Sequence, residues 1–172
     1  DYLVKDIEVK EKTSAIAVFT ADNQIKLFVD GKSLTRPSDI DMAWEKLNTV
    51  EIPLEPGRHT IGLQAQNEAG GAGVLARIQI GDEVIETDAT WLASTRGQAG
   101  WSALGFDRKV AHWAPAKVVA ELGAAPYKAV TADAVERAGD LSKPTATPVD
   151  RIHVDDGFEV ELLYTVPKDI QG

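Results

Sequence analysis

The sequence predicts an all-β fold, a β-sandwich, and three observations carry that prediction. Through the first 95 residues apolar and polar side chains alternate, the period of half-buried strands. β-Branched residues are common in the same stretch. Turn signals then break the pattern so that strands recur about every ten residues, which favours a sandwich over a barrel or an α/β fold.

Taken in order, Ile16, Val18 and Thr20 share one strand face, and Ile25, Leu27 and Val29 share another. Asp30-Gly31 follows and supplies the positive-φ pair of a tight hairpin. Val50 to Leu54 is a short strand closed by Glu55-Pro56-Gly57. Ile61, Leu63 and Ala65 next face one way, with Thr60, Gln64 and Gln66 on or beside the other face. Val74 to Ile80, Gly81-Asp82 and Val84 to Thr87 read as a second hairpin. From Ser94 to Tyr127 no period holds, so loops that wrap the sandwich are expected, with one strand at Lys117 to Leu122. Residues 128–150 are poor in large apolar side chains and punctuated by Gly139, Pro144 and Pro148. They read as a linker that admits a helical turn around Ala132 to Ala138. Arg151 to Pro167 returns to strand character, with Val154, Phe158, Val160 and Leu162 on one face. A lone strand is not stable, so this one must pair with the sandwich or open a following domain. The expected organisation is a β-sandwich over 1–127, a linker over 128–150 and a C-terminal strand over 151–172.

The chain has 172 residues and no cysteine, which removes disulfides, thiolate metal sites and thiol nucleophiles. Its formal charge of -9 argues against binding a phosphate backbone, so no nucleic-acid partner is expected. No apolar run approaches the roughly 20 residues of a membrane span, and no membrane partner is expected. The start at Asp1 and the end at Gly172 suggest a piece of a longer, processed protein.

Catalytic spacings are missing: there is no GxSxG, HExxH, P-loop, GxGxxG or EF-hand pattern. His59, His112 and His153 are isolated in sequence and read as surface or packing residues. Asp39 with Asp41, and Asp155 with Asp156, read as solvated turn acids rather than a catalytic pair. The chain is expected to be no enzyme on its own.

The more informative set is Asp22-Asn23, Trp44 and Asn67-Glu68-Ala69-Gly70-Gly71. Asp, Asn and glycine-rich backbone offer the hard oxygen donors that calcium takes, at the ends of predicted strands where loops converge. A tryptophan beside them can stack on the apolar face of a sugar while carboxylate and amide groups take its hydroxyls. The same residues also admit plain readings: Asp22-Asn23 as an Asx-turn, Asn67 as a loop tie, Trp44 as core. Trp91, Trp101 and Trp113, with Asp88, form a second group read as an apolar plug for a loop-rich segment, at the end of the sandwich, rather than a ligand site.

These residues carry a resemblance. Val4-Lys5-Asp6-Ile7-Glu8-Val9, Thr20-Ala21-Asp22-Asn23 with Leu27 to Lys32, Leu54 to Ile61, Ala65 to Gly71, and Thr87-Asp88-Ala89-Thr90-Trp91 resemble, in that order, the galactose-binding-like β-sandwich. The likeness is strongest to accessory domains of α-L-rhamnosidases and other glycoside hydrolases. It implies a jelly-roll fold and a non-catalytic carbohydrate-binding module. In rhamnose-binding members it implies a sugar held through calcium, with Asp22, Asn23, Asn67 and a carbonyl near Ala72 as metal ligands and Trp44 against the sugar. Asp88 and Trp91 are structural in that pattern. The tail Arg151 to Pro167 resembles the opening strand of glucose-dehydrogenase-like β-propellers from bacterial proteins that also carry cytochrome c domains. That implies a secreted or periplasmic parent, with the sandwich docked on a downstream domain of the same polypeptide.

Overall fold

The computed structural model describes residues 1–35, 47–110, 112–124 and 130–140. The chain divides into two compact units, 1–139 and 140–172. The first is described below. The second, with the expected C-terminal strand, His153, Asp155 and Asp156, lies outside the described residues apart from Asp140.

Two antiparallel sheets form the fold. The strands are β1 (Tyr2–Val9), β2 (Thr13–Ala21), β3 (Gln24–Val29), β4 (Lys32–Ser33), β5 (Asn48–Leu54), β6 (Gly57–Gln66), β7 (Val74–Ile80), β8 (Glu83–Glu86), β9 (Leu92–Ser94) and β10 (Ala114–Pro115). Among the described residues one sheet has six strands in the order β10-β9-β1-β6-β3-β4, and the other has four, β5-β2-β7-β8. The chain passes repeatedly from one sheet to the other, as a jelly roll does. The all-β sandwich expected from the alternating pattern is the fold observed.

Local chemistry sets the tight turns. Asp30 and Gly31 hold φ of 48° and 83°, and Val29 pairs with Lys32 across them, a two-residue hairpin. Gly81 has φ of 56° in the β7–β8 hairpin, where Ile80 pairs with Glu83. Glu55-Pro56 acts differently, carrying the chain from β5 in the smaller sheet to β6 in the larger.

Alternation decides what each face meets. Leu3, Ile7 and Val9 of β1, Ile61, Leu63 and Ala65 of β6, and Ile52 and Leu54 of β5 enter one core. On β2 the inward residues are Ala15, Ala17, Phe19 and Ala21, and the small ones leave room for the fully buried Phe19 and Trp91 of the same core. The opposite face of β2 is apolar at Val18, which lies in a second cluster with Val130 and Val135. Val135 belongs to the helix α1 (Ala132–Gly139), so the first half of the expected linker carries a helix packed on the outside of the smaller sheet. Its N-terminus is capped by Thr131, whose Oγ1 accepts the Ala134 N–H at 3.2 Å. Thr49 Oγ1 donates to the Ala138 carbonyl at 2.9 Å and ties the helix end to β5.

The segment after β9 covers the outer face of the larger sheet. Trp101, 8% exposed, meets the rings of Tyr2 and Phe28 edge-on at 5.0 and 5.2 Å and stacks on Trp113 at 6.2 Å. It seals a sheet face over Gly62 rather than an end of the sandwich, where the plug was expected. Farther along that face Arg108 Nη1 donates to Asp6 Oδ2 at 2.8 Å, and the buried Thr60 Oγ1 donates to Asp6 Oδ1 at 2.7 Å. The strand expected at Lys117 to Leu122 does not form, although Ala116 N–H still reaches the Trp91 carbonyl at 2.8 Å. Val118 and Val119 are 57% and 67% exposed there.

His59 fastens the β5–β6 corner. Its Nδ1 lies 2.7 Å from Asp30 Oδ2, and its Nε2 lies 2.7 Å from the Glu55 carbonyl. Both partners are acceptors, so both ring nitrogens donate when the ring is protonated. Burial opposes the charge, but the Glu55 carbonyl and the Asp30 carboxylate outweigh it and raise the pKa above the ordinary 6.5. The folded protein therefore holds this proton more tightly than the unfolded chain does. The resulting stabilisation is complete below about pH 6.5 and is lost as pH rises through the folded-state value. Urea denaturation across that range should show stability falling as pH rises, and His59→Gln should flatten the curve. An unchanged slope in the variant would sink this assignment.

Candidate functional site

Two sheet-crossing loops meet at one end of the sandwich. Asp22 and Asn23 alone connect β2 of the smaller sheet to β3 of the larger, and residues 67–73 carry the chain back from β6 to β7. Strand register forces the meeting, because Gln24 pairs with Gln66 and Ala21 pairs with Val74. The two residues between Ala21 and Gln24, Asp22 and Asn23, thus meet the 67–73 loop although more than forty positions separate them in sequence.

Hydrogen bonds stitch the loops together. Asn23 N–H donates to the Gln66 carbonyl at 2.7 Å, and Asp22 N–H donates to the Gly73 carbonyl at 3.2 Å. Asn23 Oδ1 accepts the Glu68 N–H at 2.7 Å, and Asn67 Nδ2 donates to the Gly70 carbonyl at 3.4 Å. Within 67–73 Gly70 has φ of 84°, a conformation natural to glycine, and an added Cβ there would meet nothing within 4 Å. Residues 67–72 are exposed, whereas Asp22 and Asn23 are half-buried.

The sequence-derived site residues thus fall into two groups. Asp22, Asn23, Asn67 and Ala72 come together in this loop pair, with Ala72 next to the Gly73 carbonyl that Asp22 engages. Asn67 serves as a loop tie, the plain reading given for it, whereas the Asn23 side chain bonds the neighbouring loop across 45 positions, which is not an Asx-turn. Trp44, Asp39 and Asp41 lie outside the described residues.

The donor chemistry fits a calcium ion. A carboxylate, two amide oxygens and a loop carbonyl are all hard oxygen donors, and an amide oxygen has two lone pairs, so the Glu68 N–H does not close Asn23 Oδ1 to a cation. Among the described residues no three His, Asp or Glu side chains gather closely enough to hold a metal. The Asp22 set escapes that pattern because most of its oxygens are uncharged. Low ligand charge places such a site at the weak end of calcium affinities.

Asp88 and Trp91 have structural work. Asp88 Oδ1 accepts the Thr90 N–H at 2.8 Å and the Thr90 hydroxyl, and these bonds hold its carboxyl below the usual range. The turn they close delivers Trp91 to the core, where Nε1 donates to the Glu86 carbonyl at 2.9 Å. The Asp6–Thr60–Arg108 cluster escapes sequence reading, since its members come from distant segments without a local signal.

No protein-family model matches the chain, and no curated protein matches it in sequence. Solved structures do. A lectin from Pleurotus ostreatus, solved without ligand, is similar with a TM-score of 0.68 and 26% identity over 76% of this chain and 39% of the lectin. The same lectin in complex with GalNAc gives a TM-score of 0.67 at 26% identity, over 76% of this chain and 40% of that one. A Streptomyces avermitilis α-L-rhamnosidase complexed with L-rhamnose gives 0.66 at 25% identity, over 76% of this chain and 14% of that enzyme. The chain therefore spans about two fifths of the lectin and a small part of the rhamnosidase.

Proposed function

We propose that the chain is a non-catalytic carbohydrate-binding domain of a larger protein, and that it takes its sugar at the Asp22–Asn23 and 67–73 loop pair. The observation that carries this is the likeness, over three quarters of the chain, both to a lectin and to one segment of a rhamnosidase. A sandwich common to a lectin and a minor part of an enzyme suits binding better than turnover. Asp22, Asn23, Asn67 and the carbonyl near Ala72 would hold calcium. The ion, when bound, would supply positive charge for sugar hydroxyls, and Trp44 would offer an apolar face to the ring. A rhamnose-like sugar is the favoured ligand and a secreted or periplasmic parent the favoured setting. Affinity for a single sugar would be weak, useful when tethering raises effective concentration.

Asp22→Ala tests this reading. Asp22 is held in place by its backbone, so the variant should keep its fold within about 0.5 kcal/mol of the parent. Calorimetric titration with L-rhamnose and a panel of neutral and acidic glycans should give saturable heat that chelator and the substitution both abolish. Heat that survives both would refute the calcium site. A parent chain giving no heat with any glycan would refute the sugar reading itself.

The second reading, a docking domain packed on a downstream dehydrogenase-type propeller of the same polypeptide, is favoured by one observation. Val118, Val119 and Leu122 are large apolar side chains left exposed in the segment that follows β10 in sequence.

A further inference from the structure

Glu68 belongs to the stitched loop pair without a role in the reading above. Its N–H is held by Asn23 Oδ1 at 2.7 Å, which fixes its backbone beside the Asp22–Asn23 pair. The residue is exposed, and the small residues that follow it, Ala69 to Gly73, put no bulky side chain between it and solvent. Among the described residues neither Glu68 nor Asp22 has a cationic partner within ion-pair distance. The loop pair therefore presents two uncompensated carboxylates.

We propose that Glu68 is a specificity-determining residue that restricts this site to neutral sugars and turns away uronic acids and other anionic glycans. The proposal rests on the carbohydrate-binding reading and deepens it. With Asp22 as the only carboxylate, a bound calcium ion would leave the site with net positive charge, which attracts an acidic sugar. The second carboxylate cancels that excess. Without calcium the two carboxylates repel an anion outright. In either state hydroxyl groups remain welcome, because an O–H donates to a carboxylate, while a ligand carboxylate finds no net attraction. The net charge of -9 over the whole chain acts in the same direction at long range.

The test is Glu68→Gln, which keeps size and polarity, removes the charge and leaves the backbone bond to Asn23 intact. Parent and variant chains are titrated at low ionic strength, with calcium and then with chelator. The probes are L-rhamnose, galactose paired with galacturonic acid, and glucose paired with glucuronic acid. A unit charge a few ångströms away in a solvated loop changes the affinity of an anion by about 3- to 10-fold. The parent should favour each neutral sugar it binds over the matching uronic acid. The variant should narrow that preference by about 3- to 10-fold through a gain in uronic-acid affinity, and salt should shrink the difference. A parent that binds neutral sugars with a preference the variant leaves intact would overturn the role of Glu68 and spare the site. A variant that loses neutral sugars and acids alike would also overturn it, making Glu68 a direct ligand. A parent that binds no sugar would overturn the underlying reading as well.

Discussion

Trp91→Ala should lower the stability of the sandwich by about 3–5 kcal/mol, the largest loss expected from a single substitution here. Trp91 is fully buried and belongs to the core cluster between the two sheets. Truncation removes its apolar contacts and leaves a cavity that the surrounding strands, locked in their ladders, close only in part. For a domain of this size the midpoint of thermal unfolding should fall by roughly 10 °C or more. Trp91→Phe separates the causes. It keeps most of the volume and forfeits the Nε1 bond to the Glu86 carbonyl, and β8 is an exposed edge strand where water can reach that oxygen. The expected cost is then about 1–2 kcal/mol. Equal losses for Ala and Phe would mean that the hydrogen bond, rather than packing, holds the residue in place.

Gly62→Val is the second large effect, and its cause is the reverse, too much volume. A Cβ at Gly62 would stand 2.8 Å from the Ser102 Cβ and 2.9 Å from the Trp101 ring. Trp101 cannot swing away cheaply, since Tyr2, Phe28 and Trp113 surround it. Valine should cost about 3 kcal/mol and alanine about 1–2 kcal/mol, read by urea denaturation. The clash has an identifiable partner, so Gly62→Ala should cost less in a Trp101→Leu background than in the parent. A double-mutant cycle measures that coupling, and strict additivity would place the strain elsewhere.

Features set by neighbouring residues were legible in the sequence, and features set by distant ones were not. Asp30-Gly31 and Gly81-Asp82 announced their hairpins because a two-residue turn needs positive φ at fixed positions. Val118-Val119 suggested a strand by propensity, but a strand forms only where a neighbour offers a ladder. β9 is three residues long, and its pairing with β10 covers only Ala114 and Pro115. Ile16, Val18 and Thr20 stood out as one face of their strand, but the face that enters the main core carries Ala15, Ala17, Phe19 and Ala21, and Val18 instead packs against a helix from residues 132–139. Gly62 carries no mark of Trp101, thirty-nine positions away. Residue chemistry singled out the Asp22-Asn23 and Asn67 loops as candidates. Their stitching, and with it the position of Glu68, follows from strand register.

The two stitched loops each leave a different sheet: Asp22 follows the last residue of a strand in the four-stranded layer, and Asn67 follows the last residue of a strand in the six-stranded layer. A ligand gripped by both would act as a cross-brace over the seam of the sandwich, so parting the layers and releasing the ligand would be one event. At a hundredfold excess over its dissociation constant such a brace adds about 2.7 kcal/mol to the free energy of unfolding. Melting temperature would then report occupancy without a label, and a mechanical pull that pries the layers apart would loosen the hold on the ligand at the same time.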